Sequence, residues 1–326
     1  MRSYRLTGGG IDGVKLVEHD ALVPGPGQAL VKIHAASLNF RDLLLAGKLD
    51  SGVVPLSDGA GEVVAVGAGV SRVKVGDRVC GHFYQSWIYG TMQPQDLMAA
   101  LGGSASGMLA EYQVLPEYGV VKIPDGMSWQ QASTLPCAGV TAWHAMREVK
   151  AGETVLLLGT GGVSLFGLQL GQAVGARMIA TSSSDAKLAR MTEMGAFATI
   201  NYREREDWDV VVRELTGGLG VDHVLEVGGG GTLARSIGAA RRGGTIHLIG
   251  VLSGGTIDPT PIMLNGLTVR GTQVGSRHMF EELLNIIVTH EIQPVIDRTF
   301  GFDEAQDAYR YLASGSHIGK VVIEIP

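Results

Sequence analysis

The stretch VLLLGTGGVSLFGLQLGQAVGARMIATSSSDAK, Val155 to Lys187, reads as a strand, a tight turn, a helix and a second strand. Its unbroken apolar run Val155–Leu158 has the signature of a strand buried on both faces. Gly159, Gly161 and Gly162 then supply a turn with almost no side-chain bulk. Leu165, Leu168, Ala173 and Val174 roughly follow helical spacing, which puts the backbone N–H groups of Gly162 and Val163 at a helix N-terminus, where a pyrophosphate is held. Met178–Thr181 is the second apolar strand. The turn reads GxGxxS, with Ser164 in place of the third glycine. A glycine-rich turn by itself also serves as a plain connection; the flanking strand, the helix and the second strand are the context a dinucleotide site requires.

The end of that second strand sets the cofactor preference. An NAD-preferring site usually carries a carboxylate there to bind the adenosine ribose hydroxyls. This chain has Ser182, Ser183 and Ser184, followed by Lys187. Hydroxyl donors and an ammonium suit a 2′-phosphate, so NADPH is expected rather than NADH. Capping of the next helix by Ser184 and Asp185 is the plainer use of the same residues, and the two uses are compatible.

A chain of 326 residues with 45% hydrophobic content is large enough for two cores, and its formal net charge of −6 argues against nucleic acid or an acidic membrane as partner. Lysines and arginines are dispersed. No apolar stretch approaches a membrane span and the start lacks a signal-peptide core, so a cytoplasmic protein is expected. The two cysteines, Cys80 and Cys137, are far apart in sequence and are expected to be reduced.

The texture changes near residue 124. Short β-rich segments separated by glycine turns (Gln28–His34, Gly61–Val66, Asp77–Cys80, Leu109–Leu115) suggest a β-barrel. Helix and strand then alternate: a helix over Ser128–Thr134, another after Pro136, the dinucleotide unit, and strands at Ala198–Asn201, His223–Val227 and Thr245–Ile249. These form one doubly wound parallel sheet. Beyond Leu267 the chain runs to a final strand, Lys320–Ile325, that can rejoin the first domain. The expected organisation is an α/β protein with a β-barrel domain over 1–124 and 269–326 and a doubly wound parallel-sheet domain over 125–268.

Several ordered segments carry a family resemblance: SLNFRDLLLAGK at 37–48, DGAGEVVAVGAGVSRVKVGDRV at 58–79, LAEYQVLP at 109–116, TLPCAGVTAW at 134–143, GTGGVSLFGLQLGQAVGA at 159–176, KLARMTEMGA at 187–196 and INY at 200–202. The chain resembles the medium-chain dehydrogenase/reductase superfamily, in its zinc-free quinone oxidoreductase-like branch. The resemblance implies a GroES-like catalytic domain, a Rossmann domain with the active site in the cleft between them, and a homodimer joined through the segment around Thr256–Met263. It also extends the cofactor site. Lys187 and Tyr202 match residues that hold the 2′-phosphate, Thr141 a residue near the nicotinamide, Gly250 and Val251 backbone contacts of its carboxamide, and Arg277 a neighbour of the pyrophosphate. For Thr141 and Gly250, core packing is the alternative.

Metal divides this superfamily. Zinc needs three or four converging Cys, His or carboxylate ligands. Where the alcohol dehydrogenases carry their first cysteine this chain has Asn39; where they carry His-Glu it has Ser57-Asp58; Cys137 stands alone at the third position. Tyr84–Gly107, in place of the four-cysteine lobe, contains no cysteine. Cys80-Gly81-His82 offers two donors at most. No zinc is expected.

Reduction of an isolated carbonyl builds an alkoxide and calls for a Lewis acid or a strong proton donor, whereas hydride addition to a quinone or to the β-carbon of an enone spreads charge into a phenolate or enolate that ordinary donors hold. NADPH-dependent reduction of quinones or α,β-unsaturated carbonyls is therefore the expected activity. Asn39 is the first candidate catalytic residue, since its amide can donate to a carbonyl oxygen or position the nicotinamide; a turn-capping asparagine is the alternative. Arg41 is the second, steadying an enolate or pairing with a nearby carboxylate. Asp42 reads as structural. The NFRD run also resembles polyketide enoyl reductases, while Leu49 near the place of their relatives' tyrosine speaks against a CoA thioester. The segment Phe83–Gly107, with Tyr84, Trp87, Tyr89 and Met92, reads equally as a pocket roof or a dimer arm. A zinc alcohol dehydrogenase with atypical ligands and a non-catalytic NADPH-binding protein are the competing functions.

Overall fold

A computed structural model describes all 326 residues, which divide into two units, Met1–Val140 with Val274–Pro326 and Thr141–Gln273.

The first unit opens with a hairpin, β1 (Arg2–Leu6) against β2 (Val14–Glu18), and continues through β3 (Gln28–Leu38), α1 (Phe40–Lys48), β4 (Asp58–Val66), β5 (Arg78–Gly81), β6 (Tyr112–Pro116), β7 (Val120–Lys122) and α2 (Trp129–Ser133). Burial alternates along the first half of β3, as a strand with one face on the core requires. β3 pairs antiparallel with both β4 and β6, and register shifts at Leu30/Val31 and Ile33/Ala35 bend it as barrel curvature demands. Val31, Ile33, Leu38, Val63, Val79, Leu109 and Leu115 fill the interior with Tyr309 and Ile323.

α3 (Val140–Met146) leads into the second unit, where β8 (Thr154–Leu158), β9 (Arg177–Ser182), β10 (Ala198–Asn201), β11 (Val221–Glu226), β12 (Ala240–Leu248) and β13 (Thr268–Gly271) form a sheet in the order β10-β9-β8-β11-β12-β13, parallel throughout. That is the Rossmann order, with its switch point between β8 and β11. Every residue of β8 is buried, as the apolar run predicts. The helices α4 (Gly162–Ala173), α5 (Asp185–Glu193), α6 (Trp208–Leu215), α7 (Gly230–Ala239) and α8 (Thr260–Asn265) belong to this unit.

After α9 (Arg277–Thr289), β14 (Ile296–Gly301) and α10 (Ala305–Ala313), the final strand β15 (Lys320–Glu324) returns to the first unit and pairs antiparallel with β3. The division differs from the expected domain boundaries at both ends. Residues 125–140 stay with the barrel, where Ser37 of β3 donates to the Ser133 carbonyl, and 269–273 stay with the Rossmann unit, because β13 is its sixth strand, paired with β12. No helix is long and apolar enough to cross a membrane.

Candidate active site

In the barrel unit, strand register brings the first cluster together. Val321 of β15 lies opposite Leu38 of β3, so Lys320 falls beside Asn39, one residue past the end of β3; Asp58 of β4 lies opposite Ser37 on the other side. Lys320 is 3% exposed. Its ammonium spends its three donors on the Leu38 carbonyl at 2.7 Å, Asn39 Oδ1 at 2.6 Å and Asp58 Oδ2 at 3.3 Å. Asp58 is fully buried, and its other oxygen accepts from Ser57 at 2.7 Å. A buried cation and a buried anion thus neutralise one another.

Asn39 sits at the N-terminus of α1 without capping it through its side chain in the expected way. The Asp42 backbone N–H goes to the Asn39 carbonyl, and the Asn39 backbone N–H to Asp42 Oδ2 at 2.7 Å. With Oδ1 committed to Lys320, the Nδ2 group of Asn39 is buried and has no partner. Asp42 is buried beneath it. Burial is the main cause that raises its carboxyl to about 6, opposed by Arg41, whose guanidinium stands 3.9 Å from Oδ1. The Tyr309 hydroxyl is also buried without a partner, and burial pushes its pKa well up. Arg41 lies over the Phe83 ring, 4.5 Å from its centroid, and donates to the Leu101 carbonyl at 3.0 Å. Phe83 and Tyr84 meet edge to face at 4.5 Å, so the start of the 83–107 segment packs beside Arg41. Tyr84 and Trp87 are buried; Tyr89 is exposed.

Donor atoms that a zinc ion would need are already engaged here. Asn39 Oδ1 and Asp58 already receive an ammonium, which would repel a divalent cation. Burial raises the pKa of the Cys137 thiol well above its usual value. Cys80 donates to the Ala132 carbonyl, and neither ring nitrogen of buried His82 has a partner. No group of three His, Cys, Asp or Glu side chains able to hold a metal occurs anywhere in the chain.

In the Rossmann unit, α4 begins at Gly162 after Gly161, so Gly162 and Val163 open the helix with no side-chain cap. Gly159 takes φ +72°, open to glycine at no steric cost. Ser164 is buried and donates to the Leu158 carbonyl at 2.7 Å, tying the turn to β8. Close helix–sheet approach is achieved one turn later, at Gly167, where a Cβ would come within 2.8 Å of Leu225. At the end of β9, Ser182 Oγ accepts from the Ser184 N–H at 3.3 Å, and Ser184 makes no side-chain capping bond to α5. The carboxylate closest in sequence, Asp185, is engaged by Asn201 Nδ2 at 2.7 Å. Tyr202 is exposed, its N–H bonded to the Ser182 carbonyl; Ser183 and Lys187 are part-buried nearby in sequence. Thr141 is buried. Gly250 has no room for a side chain, since a Cβ would meet the Val227 carbonyl at 1.8 Å, and Val251 beyond it is exposed. Arg277 belongs to the other unit; its guanidinium donates to the Tyr118 carbonyl at 2.9 Å and faces Glu281.

Two residues that organise these sites were not among the sequence candidates. Lys320 shows only as the one cation at the head of KVVIEI. Glu226, fully buried at the end of β11, shows only as a carboxylate before a glycine run. Its Oε1 accepts from the N–H groups of Gly228 and Gly229 and from Thr232, and its Oε2 from Ser236; its backbone carbonyl accepts from Ile249 and Gly250. One carboxylate therefore fixes the loop against which Gly250 packs.

Residues 25–125 match the alcohol dehydrogenase GroES-like domain and residues 162–289 the zinc-binding dehydrogenase domain. A zinc-type alcohol dehydrogenase-like protein of Schizosaccharomyces pombe is 40% identical over 97% of this chain and 96% of its own. A solved structure assigned as an alcohol dehydrogenase of Sinorhizobium meliloti 1021 is 40% identical, with a TM-score of 0.93 over 99% of this chain and 98% of its own. A quinone oxidoreductase of Pseudomonas syringae is 28% identical, with a TM-score of 0.84 over 99% of both chains. The chain belongs to the medium-chain dehydrogenase/reductase family of oxidoreductases.

Proposed function

We propose that this oxidoreductase is an NADPH-dependent reductase of quinones or α,β-unsaturated carbonyls that works without a metal, as a homodimer in the cytoplasm. The observation that carries the reading is the buried, unpartnered Nδ2 group of Asn39, standing in a cluster whose cation is an ammonium. A buried amide donor left without an acceptor costs about 1–3 kcal/mol, and an acceptor brought by the substrate recovers that cost.

Bound NADPH supplies the hydride equivalent. The chain's own residues hold and polarise. Ser182, Ser183, Ser184, Lys187 and Tyr202 suit the 2′-phosphate, and the Gly159–Val163 turn suits the pyrophosphate. Asn39 Nδ2 donates to the acceptor's carbonyl oxygen as charge develops there, and the proton that completes reduction comes from solvent. A single neutral donor is enough for a delocalised enolate or phenolate and too little for a localised alkoxide, which is why quinones and enones are favoured over simple ketones. Met263 at the end of the Thr256–Met263 segment, and Val251, Leu252 and Leu264 on either side of it, are exposed and apolar and support self-association there.

The test is steady-state oxidation of NADPH, with NADH as control, against a panel of quinones, enones and simple ketones, together with metal analysis of the purified protein. Turnover of the conjugated acceptors with NADPH is expected, as is a kcat for Asn39→Ala reduced on the order of a hundredfold. A stoichiometric zinc ion with alcohol oxidation would establish the atypical dehydrogenase instead. Tight NADPH binding without turnover would establish a binding protein.

A further inference from the structure

The Lys320 ammonium stands in a place where its charge alone has no evident use. It is buried, its counter-ion Asp58 is buried with it, and all three of its hydrogens are spent inside the protein. Burying such a pair brings little net stability compared with an apolar filling of the same volume. What the pair does achieve is directional. An ammonium can only donate, so the atom of Asn39 at 2.6 Å from it has to be the amide oxygen. The nitrogen of that amide is thereby turned the other way, where it finds no acceptor in the chain. Without the cation, the amide could rotate end for end and offer its oxygen, which repels a carbonyl substrate.

We infer that Lys320 is a positioning residue, held by Asp58, that locks the Asn39 side chain with its N–H donors presented to the oxygen of the substrate. Ser57 and the Leu38 carbonyl complete the mounting, the first by fixing Asp58 and the second by fixing the ammonium. The architecture that makes this possible is the meeting of three strands at one end of the sheet. β15 contributes the lysine, β3 leads into the asparagine, and β4 contributes the aspartate. The inference rests on the donor role proposed above for Asn39, and it adds the group that decides which end of the amide is presented.

The test is a thermodynamic cycle in the full-length protein. Removing Lys320 alone strands a buried charge, so the pair is neutralised together in Lys320→Met/Asp58→Asn, and folding is checked by circular dichroism and by NADPH affinity from fluorescence. With an accepted enone or quinone, this variant is expected to keep its NADPH affinity while kcat falls about tenfold or more, short of the roughly hundredfold to thousandfold that outright removal of a transition-state donor costs. The triple variant that adds Asn39→Ala is expected to be no slower than Asn39→Ala alone, because a lock has no effect once its object is gone. Wild-type kcat in the neutralised variant, or losses that multiply in the triple variant, would overturn the inference. So would Lys320→Met/Asp58→Asn losing NADPH affinity in parallel with kcat, the mark of a general structural role. A second readout is independent of any substrate: the Lys320 side-chain ¹⁵N resonance is expected to move in Asn39→Ala. If the wild type reduces nothing in the panel, the enone and quinone reading fails on its own. An unmoved lysine resonance overturns the lock whatever the activity.

Discussion

Two fully buried carboxylates, Asp58 in the barrel unit and Glu226 in the Rossmann unit, solve the same electrostatic problem in different ways. Glu226 has no cation among its hydrogen-bond partners and is satisfied by neutral donors, two backbone N–H groups and two hydroxyls. Asp58 is satisfied by an ammonium and the hydroxyls of Ser57 and Ser37. The neutral shell of Glu226 closes on itself, since its donors belong to the loop and helix that follow it, and the product is a rigid support beside Gly250. The shell of Asp58 stays open, because its ammonium reaches on to Asn39 and leaves that amide with donors to spare. A saturated network builds scaffold; a network that leaves an amide nitrogen unspent has donors for a ligand.

The largest effect that can break this contrast is Lys320→Met on its own. It removes the partner of a fully buried carboxylate, and chemical denaturation should show a loss of about 3–5 kcal/mol, whereas Lys320→Met/Asp58→Asn should lie within roughly 1–2 kcal/mol of wild type. Equal losses in the two variants would mean that packing around the lysine stem matters more than its charge. Glu226→Gln comes next. A glutamine turns its own N–H donors toward donors that already point inward, and the expected loss is roughly 2–4 kcal/mol, accompanied by weaker NADPH binding because the loop beneath Gly250 slackens. Unchanged cofactor affinity in that variant would detach Glu226 from the cofactor site and leave it a purely structural residue.

The two sites were unequally legible in the sequence. The Rossmann site follows from local order: Val155–Leu158 can be nothing but a doubly buried strand once glycines and a helix follow it, and Gly159, Gly162 and Ser182 fall within a span that one βαβ unit covers. The barrel site is non-local. Asn39 and Ser57-Asp58 stand out because zinc relatives carry ligands at those places, but the cation that bonds to them does not, because Lys320 lies 281 residues from Asn39 and reads locally as a charge at a strand end. Only the register of β15 against β3 places it. Glu226 failed to stand out for a related reason: its partners follow within ten residues, but a glutamate before VGGG looks like an exposed strand terminus until the loop is seen to fold back over it. The domain boundary shifted because β13 is a short strand of half-exposed residues whose only signal is its pairing with β12.

Asp42 sharpens the comparison, since it is a buried carboxylate with neither solution in full. One oxygen takes the Asn39 N–H, the other has no hydrogen-bond partner, and burial holds the carboxyl at about 6 against an ordinary 3.8. The sign of its pH dependence follows. Below 3.8 the folded and unfolded chains both carry the proton, so the group contributes no difference. Between 3.8 and 6 the folded chain keeps a proton that the unfolded chain has released, and stability falls as pH rises; above 6 the cost is complete. Buried His82 and His247, both held down to about 3 chiefly by burial, impose the opposite slope below their ordinary 6.5, so wild-type stability alone does not isolate the carboxylate. The difference between wild type and Asp42→Asn does. Asparagine keeps an oxygen for the Asn39 N–H and carries no charge to bury, so the variant should be more stable than wild type by on the order of 1–3 kcal/mol at pH 8 and no more stable at pH 4. A gain that is the same at both pH values would show that the charge of Asp42 is not what its burial costs. The site would then hold two compensated carboxylates where the comparison requires one compensated and one strained.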